Sequence, residues 1–345
     1  MSVSSPVLAT PARRFACEVL RSWRERSGYA REIFDAKLPL AALSAQDAAF
    51  ARTLVLGVVS HMGTLDELID GVLDSPKDVK PKVRDALRVS AYELFFMDKA
   101  AHAAVNEGVA LVAEVAPRAR GVANFVLRRL SEVREDFPFG DPMTDCDALS
   151  RLFGFPRWLV DELLSTGDSL RDVAFFMKAS NEPAPVFFTV NAIHAEDDDV
   201  IAALASAGVD SAPGGVDEAT FGKLPVSYCH RLMNAEDVGN PAFLNLVKRG
   251  EIIISDAAAQ AVAFIALPKE ASASMLEIGA GRGTKTLLIQ SNAQRCFGHP
   301  VSLTSIDNRN FKADLLRSRL ETYGVTGTEV LAADATELDA VFPGR

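Results

Sequence analysis

Through the first 133 residues, apolar side chains return every three to four positions, the spacing that lines one face of a helix. Phe15, Val19, Leu20 and Trp23 mark a helix over Pro11–Arg26, opened by Thr10-Pro11. Phe50, Leu54 and Val58 mark Ser44–His61, with Ser44 as cap and Asp47 in the capping-box position. Thr64–Leu73 follows, then Lys82–Met97 with Val83, Leu87, Ala91 and Leu94 on one stripe. Ala104–Ala116 and Arg120–Val133 complete an all-helical bundle with short connections. Pro138, Gly140, Asp141 and Pro142 make Glu135–Leu149 a linker by composition. Beyond it the pattern mixes periods. Phe155–Leu164 reads as a short amphipathic helix, Pro185–Asn191 as a strand and Asp197–Ala207 as a helix with acids at its start. Gly250–Asp256 is a further strand and Ala257–Leu267 a helix, giving a small α+β unit.

The last hundred residues carry the candidate chemistry. Met275–Thr286, M-L-E-I-G-A-G-R-G-T-K-T, is a short apolar run, then Gly279, Gly281 and Gly283, then a helical pattern. Glycines let a chain turn sharply off a strand and let a ligand approach the backbone, and the following helix start offers free N–H groups. The spacing is G-x-G-x-G. Thr284 stands where a dinucleotide fingerprint would place its third glycine. With Glu277 just before the loop, the pattern suits the amino acid and ribose of S-adenosylmethionine better than a pyrophosphate. Val301–Asp307 reads as a second strand, its terminal acid placed to accept ribose hydroxyls. Asn310–Tyr323 is helical, and Thr328–Asp334 a third strand ending in an acid. This order is half of a doubly wound nucleotide-binding sheet.

Composition narrows the class. No apolar run has the length of a membrane span, and Met1–Thr10 lacks the features of a secretory signal. Cys17, Cys146, Cys229 and Cys296 are far apart, and the five histidines are scattered, so neither disulfides nor a metal site is implied. A reducing cytoplasm is the expected compartment. The net charge of −10 argues mildly against nucleic acid. The first fifty residues run the other way, with seven basic and five acidic side chains.

Three stretches resemble the NusB family of RNA-binding helical domains: L-R-V-S-A-Y-E-L at Leu87–Leu94, V-N-E-G-V-A-L at Val105–Leu111 and V-A-N-F-V-L-R-R-L at Val122–Leu130. The resemblance implies RNA contact through the first helix, by position at Arg13 and Arg14. Asn106, Glu107 and Asn124 read as structural. Followed by P-R-W-L, F-F-T-V-N, I-S-D-A-A-A-Q and a glycine loop ending in T-K-T, the order of parts is similar to RsmB/Sun-type ribosomal RNA cytosine-5 methyltransferases. That resemblance implies a multi-domain chain: a NusB-like bundle over 1–136, a linker and small α+β (RRM-like) subdomain over 137–250, and a Rossmann-like class I methyltransferase α/β domain over 251–345. It implies S-adenosylmethionine as cofactor, held by Gly279, Ala280, Gly281, Arg282, Gly283, Thr284 and Lys285, with Asp307 at the ribose and Asp334 beside the adenine. The implied partner is ribosomal RNA, most simply of the small subunit, with no membrane and no metal.

Two departures stand out. The family loop usually reads D-x-C-A-A-P-G-G-K-T, whereas here it is E-I-G-A-G-R-G-T-K-T, with Arg282 adding a charge. The resemblance also implies catalytic cysteines on strands after the third. A thiolate adds to carbon 6 of cytosine, carbon 5 takes the methyl group, and a second cysteine assists release. None of the four cysteines stands there, so the sheet is expected to be incomplete at the C-terminus and the chain inactive by itself. Two other readings stay open: a non-catalytic NusB-like RNA-binding protein with a remnant methyltransferase domain, and a class I methyltransferase with another substrate.

Overall fold

A computed structural model describes residues 9–26, 28–97, 99–214 and 228–342. The chain divides into two units, Met1–Pro183 and Ala184–Arg345.

The first unit is helical. Its order is α1 (Pro11–Glu25), α2 (Ala30–Lys37), α3 (Ala45–Ser60), α4 (Met62–Gly71), α5 (Pro81–Phe96), α6 (Ala101–Val115) and α7 (Arg120–Glu132). α5 is the hub: α1, α3, α4, α6 and α7 all pack on it, and its Leu87, Ala91 and Leu94 are fully buried. The stripe residues Phe15, Val19, Leu20, Leu54 and Val58 join the same core, each such side chain contributing about 1.5–3 kcal/mol by leaving water. Ser44 caps α3 as expected, its Oγ accepting from the Asp47 N–H at 3.0 Å. α2 was not anticipated; only eight residues long, it buries just Ala30 and Phe34 and shows too little period to read.

Three more helices belong to this unit: α8 (Cys146–Phe153), α9 (Arg157–Ser165) and α10 (Leu170–Asn181). They close over Leu149, Val160, Val173 and Met177. The expected linker therefore ends sooner than its composition suggests, because Asp145 caps α8 by accepting from the Asp147 and Ala148 N–H groups. α10, also unanticipated, opens with a full capping box between Ser169 and Asp172. With these helices the first unit runs to Pro183.

The second unit contains two sheets. β1 (Phe187–Val190), β2 (Ser211–Pro213), β3 (His230–Leu232) and β4 (Ile252–Ile254) form an antiparallel sheet in the order β2-β3-β1-β4. α11 (Asp197–Ser206) and α12 (Pro241–Lys248) share its core through Leu204 and Phe243. α13 (Ala257–Ile265) then leads to β5 (Ser274–Ile278), α14 (Thr284–Phe297), β6 (Ser302–Asp307), α15 (Asn310–Thr322), β7 (Thr328–Ala332) and the short α16 (Leu338–Val341). β5, β6 and β7 make a parallel sheet in that order. Ile252–Ile254, expected as a strand of the small α+β unit, pairs with β1, Ile253 opposite Thr189. The two sheets are tied closely. Buried Asn191 donates to Gly250 O at 2.8 Å and to Tyr323 O at 3.0 Å, and Arg295 on α14 pairs with Asp197 and donates to Val190 O. No single helix among the described residues is long and apolar enough to cross a membrane.

Candidate cofactor cleft and nucleic-acid surface

β5 hands over to α14 through Gly279–Gly283. Gly279, Gly281 and Gly283 have φ of 75°, 60° and 78°, the left-handed region that a Cβ disfavours. Neighbours fix the turn from behind. The Ile306 carbonyl accepts from the Gly279 and Ala280 N–H groups at 2.8 and 3.0 Å, and Gly283 N–H donates to Ala280 O at 2.9 Å. Asp307, only 7% exposed, accepts from Gly281 N–H on one oxygen and from Arg309 N–H on the other, at 2.9 and 3.0 Å. A Cβ built on Gly279 would meet nothing within 4 Å, so that side of the loop is open.

It opens on a cleft of about 630 Å³ whose walls include Asp256, Glu277, Gly279, Ala280, Arg282, Thr284 and Lys285. Glu277 is fixed by one oxygen, Oε2, which accepts from Thr286 Oγ1 at 2.5 Å and Ser305 Oγ at 2.9 Å. Asp256 caps α13, its Oδ1 accepting from Ala259 N–H. Two carboxylates, two cations and the N-terminus of α14 around one opening fit a zwitterionic amino acid. S-adenosylmethionine has such an end. The structure thus brings five of the expected loop residues to one cleft, with Gly281 and Gly283 inside the turn. Asp307 and Asp334 do not line it. Asp307 holds the loop, while Asp334 is exposed beyond β7, where its Oδ1 accepts from the hydroxyl and the N–H of Thr336. Those bonds keep its carboxyl below the ordinary range, the hydroxyl contributing most.

In the first unit the two expected arginines differ sharply. Arg13 is 4% exposed; Nε and Nη2 grip both oxygens of Glu93 at 2.7 and 2.6 Å, and Nη2 also reaches Glu107 at 2.6 Å. It is a core ion pair and presents no charge to RNA. Arg14, its neighbour around the helix, is half-exposed and sits 3.6 Å from Glu114. Arg14, Arg21 and Lys82 line a cleft of about 320 Å³ together with Glu18, Asp85 and Glu114. Glu18 pairs with Lys37, and Asp85 with Arg24 and Arg88, so two of those acids are neutralised from elsewhere. Arg21 and Lys82 make no ion pair among the described residues. Lys82 also borders a second groove of about 930 Å³ with Lys80, Arg118 and the exposed Val122 and Phe125.

Residues 10–132 match the NusB family, meeting the likeness expected over Pro11–Val133. A Bacillus subtilis (strain 168) protein named a probable ribosomal RNA small subunit methyltransferase B is 24% identical over 343 residues, covering 96% of this chain and 70% of its own length. The ribosomal RNA small subunit methyltransferase B of Thermus thermophilus is 32% identical over 167 residues, 48% of this chain and 37% of that protein. The crystal structure of PH0851 superposes with a TM-score of 0.67 at 16% identity, covering 98% of this chain and 72% of that one, a likeness of fold. Over most of its length the chain is similar to proteins named ribosomal RNA small subunit methyltransferase B.

No cysteine lines the glycine-loop cleft. Cys17 lies in the bundle core, where burial pushes its thiol up. Cys229 is pushed up to about 11, by burial first and then by the Asp256 charge. Cys146, expected in the linker, is the first residue of α8, and Cys296 is exposed near the end of α14. Sequence reasoning missed Arg21, Lys82 and Asp256 as site residues. The I-S-D-A-A-A-Q stretch pointed at Asp256 without giving it a task; nothing in the sequence brings Arg21 and Lys82 together across two helices.

Proposed function

We propose that this chain binds S-adenosylmethionine at the glycine-loop cleft and takes ribosomal RNA as its substrate, with carbon 5 of a cytosine as methyl acceptor. The observation that carries the cofactor is the cleft itself: an open glycine turn at a helix N-terminus, with Asp256 and Glu277 set against Arg282 and Lys285. The names of the relatives support the substrate. The bound cofactor would supply an electrophilic methyl group. The chain's part is to hold its amino-acid end: carboxylates for the ammonium, Lys285, Arg282 and the α14 N–H groups for the carboxylate. Asp307 keeps the loop in place and has lone pairs left for ribose hydroxyls; Asp334 serves the adenine end.

Cytosine carbon 5 needs a thiolate on carbon 6 before it will take a methyl group. A thiol at about 11 is almost wholly protonated at neutral pH, so Cys229 is a poor nucleophile. We therefore expect the 345-residue chain to bind S-adenosylmethionine but to transfer no methyl group to unmodified small-subunit ribosomal RNA. Calorimetry should show binding that Lys285→Ala weakens by about 1–3 kcal/mol, the range for a charged hydrogen bond. No heat of binding in the wild type removes the cofactor reading. Methyl transfer that survives Cys→Ser at all four cysteines removes the thiol chemistry.

RNA recognition falls to Arg14, Arg21 and Lys82 in this reading, with Phe125 in the adjoining groove as a surface on which a base can stack. Reversing Arg21 and Lys82 to glutamate should weaken binding of a small-subunit ribosomal RNA fragment. It should also lower the slope of log affinity against log salt by about two, one for each phosphate that is no longer neutralised. An unchanged slope places RNA recognition elsewhere.

A further inference from the structure

The cofactor loop is braced from beneath by α15. Leu316 and Arg319 lie three residues apart, on one face of that helix. Leu316 packs so closely under Gly283 that a Cβ there would stand 2.0 Å from its Cδ1. Arg319 Nη1 donates to the Arg282 carbonyl at 2.7 Å and reaches Thr284 Oγ1 at 3.4 Å. The guanidinium also lies over the Tyr323 ring, 5.5 Å from its centre, within the reach of a cation–π contact. Tyr323 is itself fixed: it is buried, its hydroxyl donates to Ile252 O at 3.3 Å, and its carbonyl accepts from Asn191.

The bonded carbonyl belongs to the peptide between Arg282 and Gly283. A peptide is planar, so fixing its C=O also fixes the direction of the Gly283 N–H. That N–H donates to Ala280 O on the opposite side. With glycines on both sides of Arg282, this peptide is the part of the turn most free to flip. Arg319 stands where it prevents the flip. Its placement is also electrostatically odd for a purely structural role. A cation beside a helix N-terminus opposes the macrodipole, so α14 gains nothing from it, whereas an anion bound at that terminus does.

We propose that Arg319 is a positioning residue for the cofactor loop, holding the Arg282–Gly283 peptide in its binding orientation and adding positive potential for the cofactor's carboxylate. This rests on the reading of the cleft as an S-adenosylmethionine site. The test uses the full chain and three variants, with S-adenosylmethionine titrated by calorimetry and loop amides followed by hydrogen exchange. Arg319→Met keeps the aliphatic stem and should weaken binding about tenfold, less than the full loss of a charged hydrogen bond because its action is indirect. Exchange should accelerate over residues 281–285 while the melting temperature holds. Arg319→Lys should recover most of both. If Arg319→Met fails to fold, Arg319→Gln, with a donor and no charge, serves instead and should bind with intermediate affinity. Wild-type affinity and wild-type loop exchange in Arg319→Met, or in Arg319→Gln where that variant stands in, overturn the proposal. If the wild type binds no S-adenosylmethionine, the cofactor reading fails separately, and loop exchange still decides whether Arg319 is the clamp.

Discussion

Replacing Arg13 with alanine is expected to destabilise the helical unit by about 3–5 kcal/mol, the cost of orphaning one half of a buried ion pair. Glu93, 3% exposed, would lose both bonds from the guanidinium, and Glu107 would lose its partner on that side. Thr10 Oγ1 would lose the Nη1 donor at 2.9 Å, and Phe50 the cation 5.0 Å from its ring. Lys99 remains 2.8 Å from Glu93 and takes up part of the charge, which places the effect toward the lower end. Arg14→Ala should cost no more than about 0.5 kcal/mol, as expected for an exposed pair. Both tryptophans, Trp23 and Trp158, lie in this unit, so urea titration followed by their fluorescence reads its stability alone. Equal losses in the two variants would contradict the buried pair. The result also bears on RNA: weaker binding by an Arg13 variant would report a damaged bundle, with no phosphate ligand removed.

Arg13 and Arg14 show where sequence reading stops. Adjacent residues on a helix point about 100° apart, so one of two neighbouring arginines can face the core while the other faces water. The apolar stripe of α1 contained that answer, since Arg13 falls beside Ala12, Ala16 and Leu20, all buried. Its partners, Glu93 and Glu107, are eighty or more residues away, and no local pattern announces them. The strand–loop–helix around Gly279 was legible for the opposite reason: its signals are local and consecutive. Asp307 was legible as an acid at a strand end, but the bond it makes there, accepting from Gly281 N–H, depends on how β6 registers against β5. Ile252–Ile254 was legible both as a strand and, from its place in the chain, as part of the small unit whose β1 it pairs with. α10 was missed although Ser169 and Asp172 spelled its start.

Within the loop, two alanine substitutions separate binding from stability. Gly279 and Gly283 have nearly equal φ, 75° and 78°, so each pays about 1–2 kcal/mol for left-handed backbone with a Cβ. Their surroundings differ. At Gly283 the new methyl would stand 2.0 Å from Leu316 Cδ1, and relieving that overlap adds about 1–3 kcal/mol. Leu316 Cδ1 ends a flexible side chain and can yield somewhat, so the total for Gly283→Ala is roughly 2–4 kcal/mol. At Gly279 the methyl meets nothing within 4 Å and projects on the open side of the loop, toward the cleft. Gly279→Ala should therefore cost only the backbone strain in stability, yet lower S-adenosylmethionine affinity at least as much as Gly283→Ala, by filling space the cofactor needs. Hydrogen exchange over β5, β6 and β7 reads the first effect and calorimetry the second. Gly283→Ala should deprotect the parallel sheet more than Gly279→Ala does. If Gly279→Ala binds S-adenosylmethionine as tightly as the wild type, the cofactor does not approach the loop from the open side, and the cleft bounded by Glu277 and Lys285 is not its site.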